Sequence, residues 1–276
     1  MAKKKSSPPS IPAGSTDDGT ENQPMRICFE RILPDELDKE KTVRRAMRAL
    51  SLGAPEGTLD AETVQFAARM AVINSKKWTG FSQLKCRFLN GSPSVQKKTE
   101  AVAHVWEQYA NIKFKFVKTG DAEIRIAFVA GDGSWSAVGR DALVTQYFPK
   151  HQPTMNFGWL TETTPQAEYD RVVLHEFGHA LGCIHEHQSP KFDRVWNRNK
   201  VIQVFSGSPN FWSVPDIDHN VLQKYSPNGI TATDFDPKSI MLYAFDASLF
   251  ADGKGGTNSN TKISATDIKL IKKLYP

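Results

Sequence analysis

His175-Glu176-Phe177-Gly178-His179-Ala180-Leu181-Gly182-Cys183-Ile184-His185 is the stretch on which the reading of this chain turns. A helix advances about 100° per residue, so His175 and His179 share one face and both imidazoles point the same way. Two neutral imidazoles at that spacing hold one zinc ion at about 2.0–2.1 Å. Glu176 sits one step round the helix, beside the metal rather than on it, where a general base for an attacking water belongs. Gly182 can take the left-handed conformation that ends a helix. The turn there lets His185 swing back as a third ligand. Three protein ligands leave one corner open for water, which marks a catalytic rather than a structural site. Of seven histidines in the chain, three fall at this one spacing, and that separates them from ordinary surface or core histidines. His187, two residues further on, should point elsewhere, as a solvated or supporting residue. His104, His151 and His219 have no such spacing.

Working outward, Thr164 with Pro165 at the first helical position starts the helix that carries the motif. Before it, Leu84–Leu89, Ile112–Val117 and Ala122–Phe128 read as strands, the last two by alternation of apolar and polar residues. Ile124, Ile126 and Phe128 share one face. Residues 95–110 read as a helix, with Val102, Val105, Trp106 and Tyr109 on one stripe. Short extended pieces follow at Trp135–Val138 and near Thr154–Leu160. Near the end, Ser264 can cap a last helix with Asp267 at its third position. The order strand, helix, strand, strand, strand, helix predicts an α+β chain, a mixed sheet with helices packed on it.

Composition sets the outer limits. The 276 residues are 39% hydrophobic and 24% charged, an ordinary globular mix. Eighteen glycines and 16 prolines without a period exclude a collagen-like chain. No apolar run approaches the roughly 18 residues of a membrane span. The net charge of +5 is spread among acids, and no basic helix with interleaved aromatics stands out, so no nucleic-acid or membrane partner is expected. Cys28, Cys86 and Cys183 are too few for a disulfide framework. Met1–Ser10 has a basic start but no apolar stretch behind it, so a secretory leader is not expected. The chain as encoded is then cytoplasmic or leaves by a leaderless route. Residues 1–25, rich in Ser, Pro, Gly and Thr, read as a disordered tail. Residues 26–77 read as a helical extension with helices over about 35–50 and 60–74, a pro-segment or a wrap. Residues 78–276 make the main domain.

The motif and its surroundings resemble the metzincin zinc endopeptidases, and among them the astacin family. Glu186 follows the third His, as in astacins. Ser239-Ile240-Met241-Leu242-Tyr243 resembles the family's Met-turn. Gly133-Ser134-Trp135-Ser136-Ala137-Val138-Gly139 resembles its upper-rim edge strand, and Met155-Asn156-Phe157-Gly158 the strand before the active-site helix. Asp193-Arg194, Asn210-Phe211 and the ending Ile263–Tyr275 match further landmarks. The likeness covers roughly 78–276.

The resemblance implies a metzincin-type zincin fold: a twisted mixed sheet with two long helices in the N-terminal half, an active-site cleft, and an irregular C-terminal half ending in a helix. It implies one catalytic Zn2+ on His175, His179 and His185, with Met241 as a hydrophobic floor and Gly182 and Glu186 as structural neighbours. Hydrolysis of peptide bonds would proceed through a zinc-activated water, with Glu176 as general base and Tyr243 stabilising the oxyanion. The substrate would be a peptide or protein bound as an added strand on Ser134, Trp135, Ser136, Ala137 and Val138, by a chain expected to be a monomer. The alternative from another class is a catalytically silent zinc-fold binding module, against which intact Glu176 argues.

The chain also departs from the family, which usually has disulfides, a leader and a Phe-x-Gly-Asp pro-segment whose Asp caps the zinc. Residues 1–77 contain no such motif. Cys28 lies in that segment beside Arg26, and a thiolate there could cap the fourth zinc corner. A lone Cys among apolar residues is more commonly a small buried hydrophobe, and both readings stand.

Overall fold

The computed structural model describes residues 27, 28, 31, 76–225 and 234–276. The expected tail over 1–25 and the expected helices over 35–50 and 60–74 lie outside them. Strands β1 (Gln83–Phe88), β2 (Lys113–Phe116), β3 (Ile124–Ala127), β4 (Ser134–Ser136) and β5 (Met155–Phe157) form one sheet in the order β2-β1-β3-β5-β4. β1 is parallel to β2 and β3, and β3 to β5, whereas β4 runs antiparallel to β5 and forms an edge. This is the mixed sheet of an α+β fold.

Local sequence explains the layers. In β1 and β2 the apolar residues Leu84, Cys86 and Phe114 are buried while Gln83, Lys85, Lys113 and Lys115 face water. β3 lies between β1 and β5 and is buried on both faces, Arg125 included. Its guanidinium donates to the carbonyls of Gln152 (2.7 Å), Ala122 (3.1 Å) and Phe148 (2.8 Å), so the buried cation is satisfied.

Helix α1 (Pro93–Ala103) packs on α2 (Gln166–Ala180). The expected helix over 95–110 tightens after Ala103 into a 3-10 turn, His104–Gln108. There the Trp106 indole N–H reaches the Leu174 carbonyl (3.0 Å), and Glu107 accepts the Phe114 N–H (2.7 Å), turning the chain into β2. The expected cap at Thr164 is corrected: Pro165 stands at the N-cap with no side-chain bond, and the Thr164 hydroxyl accepts the Thr161 N–H (2.9 Å).

The C-terminal half is mostly irregular, with α3 (Arg198–Phe205), α4 (Val214–Ile217) and a final α5 (Ala265–Leu274). Ser264 and Asp267 cap α5 reciprocally, as the sequence predicts. Among the described residues two apolar cores result. One joins the sheet to α1, α2 and α5, and the other gathers Phe192, Phe205, Phe245 and Phe250 with Ile27, Cys28 and Tyr243. The motif helix ends between them. Among the described residues no helix is long and apolar enough to cross a membrane.

Candidate metal centre

Helix α2 buries Tyr169, Val172, Val173, Phe177 and Ala180, and the Phe177 ring meets Phe114 edge-on at 4.9 Å. That packing fixes the rotation of the helix and aims His175 and His179 at the boundary of the two cores. The helix closes as the motif predicts. Gly182 has φ +94°, its N–H bonds the His179 carbonyl (2.7 Å), and the Cys183 N–H bonds the Gly178 carbonyl (2.9 Å), the paired bonds of a Schellman ending. The chain then returns His185 to the other two imidazoles.

The Nε2 atom of His179 lies 3.2 Å from that of His175 and 3.0 Å from that of His185. None of these contacts is a hydrogen bond between rings. The His175 Nδ1–H donates to the Ile240 carbonyl (2.8 Å), that of His179 to the Cys183 carbonyl (2.8 Å), and that of His185 to the Gln188 side-chain oxygen (3.0 Å). With each proton held on Nδ1, three bare Nε2 lone pairs converge. Burial lowers all three pKa values, that of His179 to about 4 and those of His175 and His185 well below the ordinary value. The rings are neutral, as metal ligands must be.

The fourth member of the cluster is Cys28. Its sulfur stands 3.2, 3.6 and 3.4 Å from the Nε2 atoms of His175, His179 and His185. All four donors are buried and lie within 4.8 Å of one another. Zn–N bonds of about 2.0–2.1 Å and a Zn–S bond of about 2.3 Å give tetrahedral edges near 3.3 Å for N···N and 3.6 Å for N···S. The donor set fits a zinc ion. Tyr243 lies alongside: its hydroxyl donates to the Cys28 carbonyl (2.9 Å), is 3.1 Å from the Cys28 sulfur, and touches His185 Nε2.

The other residues singled out from the sequence are placed as follows. Glu176 is fully buried on α2 next to His175. Met241 lies against Gly178 of the motif helix, so closely that a Cβ there would overlap its sulfur. The Glu186 N–H bonds the Met241 carbonyl (3.0 Å), and its carboxylate accepts the Asp236 N–H (2.9 Å). Burial pushes the Glu186 pKa up to about 7 against that bond, with Asp267 adding to the rise. Ser134, Trp135 and Ser136 form edge strand β4, with Ala137 and Val138 following it. His187 is not solvated. It is fully buried, stacks on His185 with ring centroids 5.2 Å apart, and pairs with the Asn220 carbonyl (3.0 Å).

The sequence marks Asp267 as a capping residue but carries no signal for its part in orienting the ligands, and none for Gln188. Asp267 accepts the Ile240 N–H (2.8 Å) and the Ser239 hydroxyl (2.7 Å), and so fixes the Ile240 carbonyl that holds His175. Gln188, which holds His185, donates in turn to the His219 and Gln223 carbonyls (2.6 and 3.2 Å).

Two histidines on one helix, a third after a glycine turn, and a methionine packed on the same helix are the arrangement expected of a metzincin-type zinc site. The comparisons agree. The Matrixin family (Peptidase_M10) matches residues 77–192. A solved structure of myroilysin is 40% identical, with 74% of this chain and 97% of that one aligned at a TM-score of 0.70. A second myroilysin structure is 39% identical, covering 73% and 86%, with a TM-score of 0.57. Zinc metalloproteinase nas-30 of Caenorhabditis elegans is 24% identical over 267 residues, 94% of this chain and 32% of the relative. Protein SpAN of Strongylocentrotus purpuratus is 26% identical over 188 residues, 62% of this chain and 26% of the relative. The chain thus spans a quarter to a third of the length of these curated relatives. It belongs to the astacin family of zinc metallopeptidases, whose cofactor is one zinc ion.

Proposed function

We propose that the chain is a zinc endopeptidase whose own N-terminal segment keeps it silent. The observation that carries this reading is the sulfur of Cys28 at the fourth corner of the three-histidine cluster. His175, His179 and His185 would hold the ion, which when bound supplies Lewis acidity at the reacting carbonyl. Glu176 takes a proton from the attacking water and returns it to the departing amine. The Tyr243 hydroxyl, which now donates to the Cys28 carbonyl, donates instead to the oxyanion of the substrate. A substrate carbonyl beside Tyr243 would replace that of Cys28. Strand β4 offers its outer edge to the peptide backbone, and Arg31 already uses it, with its N–H on the Ser136 carbonyl (3.4 Å) and a parallel bridge to Ala137.

In this state Ile27, Cys28 and Arg31 occupy the groove a substrate needs. Residues 26–77 would then be a pro-segment and 78–276 the catalytic domain, with buried Lys76 paired to Asp141 of the latter. The test compares full-length wild type with Cys28→Ser, zinc-loaded, on a denatured protein mixture. Chelator-sensitive cleavage that rises at least tenfold in the mutant is expected. Equal activity in the two removes the cap, and cleavage that survives chelation removes the zinc chemistry.

A further inference from the structure

Beyond the metal lies a polar feature of the groove that the hydrolysis itself does not use. Arg31, three residues after Cys28, lays its guanidinium over the Trp135 ring, 3.6 Å from the centroid. The same guanidinium is 3.6 Å from one carboxylate oxygen of Asp132. The other Asp132 oxygen accepts the Trp135 indole N–H (3.0 Å). Carboxylate and indole thus brace one another and form a platform for one cation. The platform opens onto a cavity of about 460 Å³ whose other walls include Trp159, Asn210 and Trp212.

Asp132 and Trp135 belong to the main body, not to the segment that carries Arg31. Once that segment leaves, the carboxylate and the face of the indole remain beside edge strand β4, turned toward whatever pairs there next. Resting on the endopeptidase reading, we propose that Asp132 and Trp135 form a specificity subsite for an arginine or lysine side chain of the substrate, and that Arg31 occupies it as a built-in mimic. The chemistry favours arginine, whose planar guanidinium can stack on the ring and face the carboxylate together. At about 3.3 Å per extended residue, the side chain read is about three positions from the bond cleaved, on the side that runs along β4. Ion pairs and cation–π contacts at half-exposed sites are modest, so the preference expected is about three- to tenfold rather than absolute.

The experiment uses zinc-loaded full-length chain, as wild type and as Cys28→Ser, on a denatured protein mixture with cleavage sites mapped by mass spectrometry. Arg and Lys should be enriched about three- to tenfold at one position within three residues of the cut. Asp132→Asn in the same backgrounds should remove most of that enrichment, and Asp132→Lys should turn it toward acidic residues. The ratio of basic to neutral sites is internal to each sample, so a loss of overall rate does not disturb it. Chelator-sensitive cleavage with a flat profile, or with the enrichment intact in Asp132→Asn, overturns the subsite and leaves the peptidase reading standing. No chelator-sensitive cleavage in either background overturns both.

A second measurement needs no turnover: the rate at which a thiol reagent modifies Cys28 in the full chain. Arg31→Ala and Asp132→Asn should each speed it several-fold, and the double mutant should be no faster than Arg31→Ala alone. Fully additive effects would show that Arg31 and Asp132 do not act as a pair, which also overturns the proposal.

Discussion

The chain enters the main body past two glycines, and this makes a matched pair of substitutions informative. A Cβ on Gly139 (φ +51°) would overlap the carbonyl oxygen of Lys76, a backbone atom that no rotamer change can move. A Cβ on Gly182 (φ +94°) would meet the same oxygen at 3.6 Å, an ordinary contact. Lys76 is held there by a buried ion pair with Asp141. Gly139→Ala therefore combines left-handed strain of about 1–2 kcal/mol with forced displacement of packed backbone, about 1–3 kcal/mol. Their sum is roughly 2–5 kcal/mol. Gly182→Ala carries the strain alone, about 1–2 kcal/mol. Urea unfolding at fixed zinc concentration measures both costs. Limited trypsin digestion then reads where the damage lies, because Lys76 is buried and only a displaced segment exposes it. We expect faster cutting at Lys76 in Gly139→Ala and wild-type protection in Gly182→Ala. Equal stability loss with equal protection would refute the reasoning, since the Lys76 carbonyl would then not be what keeps residue 139 a glycine.

Four further outcomes follow from the metal centre. His179→Ala should empty the site, so that metal analysis falls from about one zinc per chain to near none; retained zinc would remove His179 from the ligand set. Glu176→Ala should keep zinc and fold but lose about 10²–10⁴-fold in turnover; activity within a few-fold of wild type would assign the base elsewhere. Tyr243→Phe should lower kcat and kcat/KM together, whereas a change in KM alone would make Tyr243 a pocket wall. Asp267→Ala, far along the chain from the ligands, should weaken zinc binding about 10–100-fold by freeing the Ile240 carbonyl from its place on His175; unchanged affinity would show that Ile240 is held by other contacts.

How much of this was legible in the sequence depends on how local each feature is. His175, His179 and His185 were readable because one helix and one glycine turn set their relative positions. The same holds for the Ser264–Asp267 capping box, which spans a single turn. The partners of the ligands were not readable. The carbonyls of Ile240 and Cys183 are backbone groups that every residue offers, and only tertiary packing brings Ile240 to His175. Arg125 shows a different limit. Alternation in β3 places it opposite Ile124 and Ile126, the side a two-layer sheet leaves to water. Carbonyls of Ala122, Phe148 and Gln152 cover that side instead. His187 was open between a solvated and a supporting place; its ring stacks on His185, the supporting one, and no periodicity chooses between the two. Cys28 lies 147 residues from His175. Its residue type allowed a place on the metal, and only the fold could bring it there.

On the proposed reading, latch and substrate compete for one groove, and rough magnitudes say which prevails. A tethered group is presented to its site at an effective concentration on the order of millimolar. Peptidase substrates commonly work at KM values of about 1 μM–1 mM. The latch also holds three places at once: the sulfur at the metal corner, the Cys28 carbonyl on Tyr243, and Arg31 on β4 and its platform. A peptide must displace all three before its own carbonyl reaches Tyr243. Substrate pressure is therefore a poor switch for this chain. A cut in the backbone between Arg31 and Lys76 is a good one, because it turns the competitor into a separate molecule that dilutes away. The buried Lys76–Asp141 pair keeps the new end of the body in place when the segment leaves. The geometry thus favours activation by proteolysis over activation by substrate, and it ties the silence of the uncut chain to the same edge strand that would read its substrates.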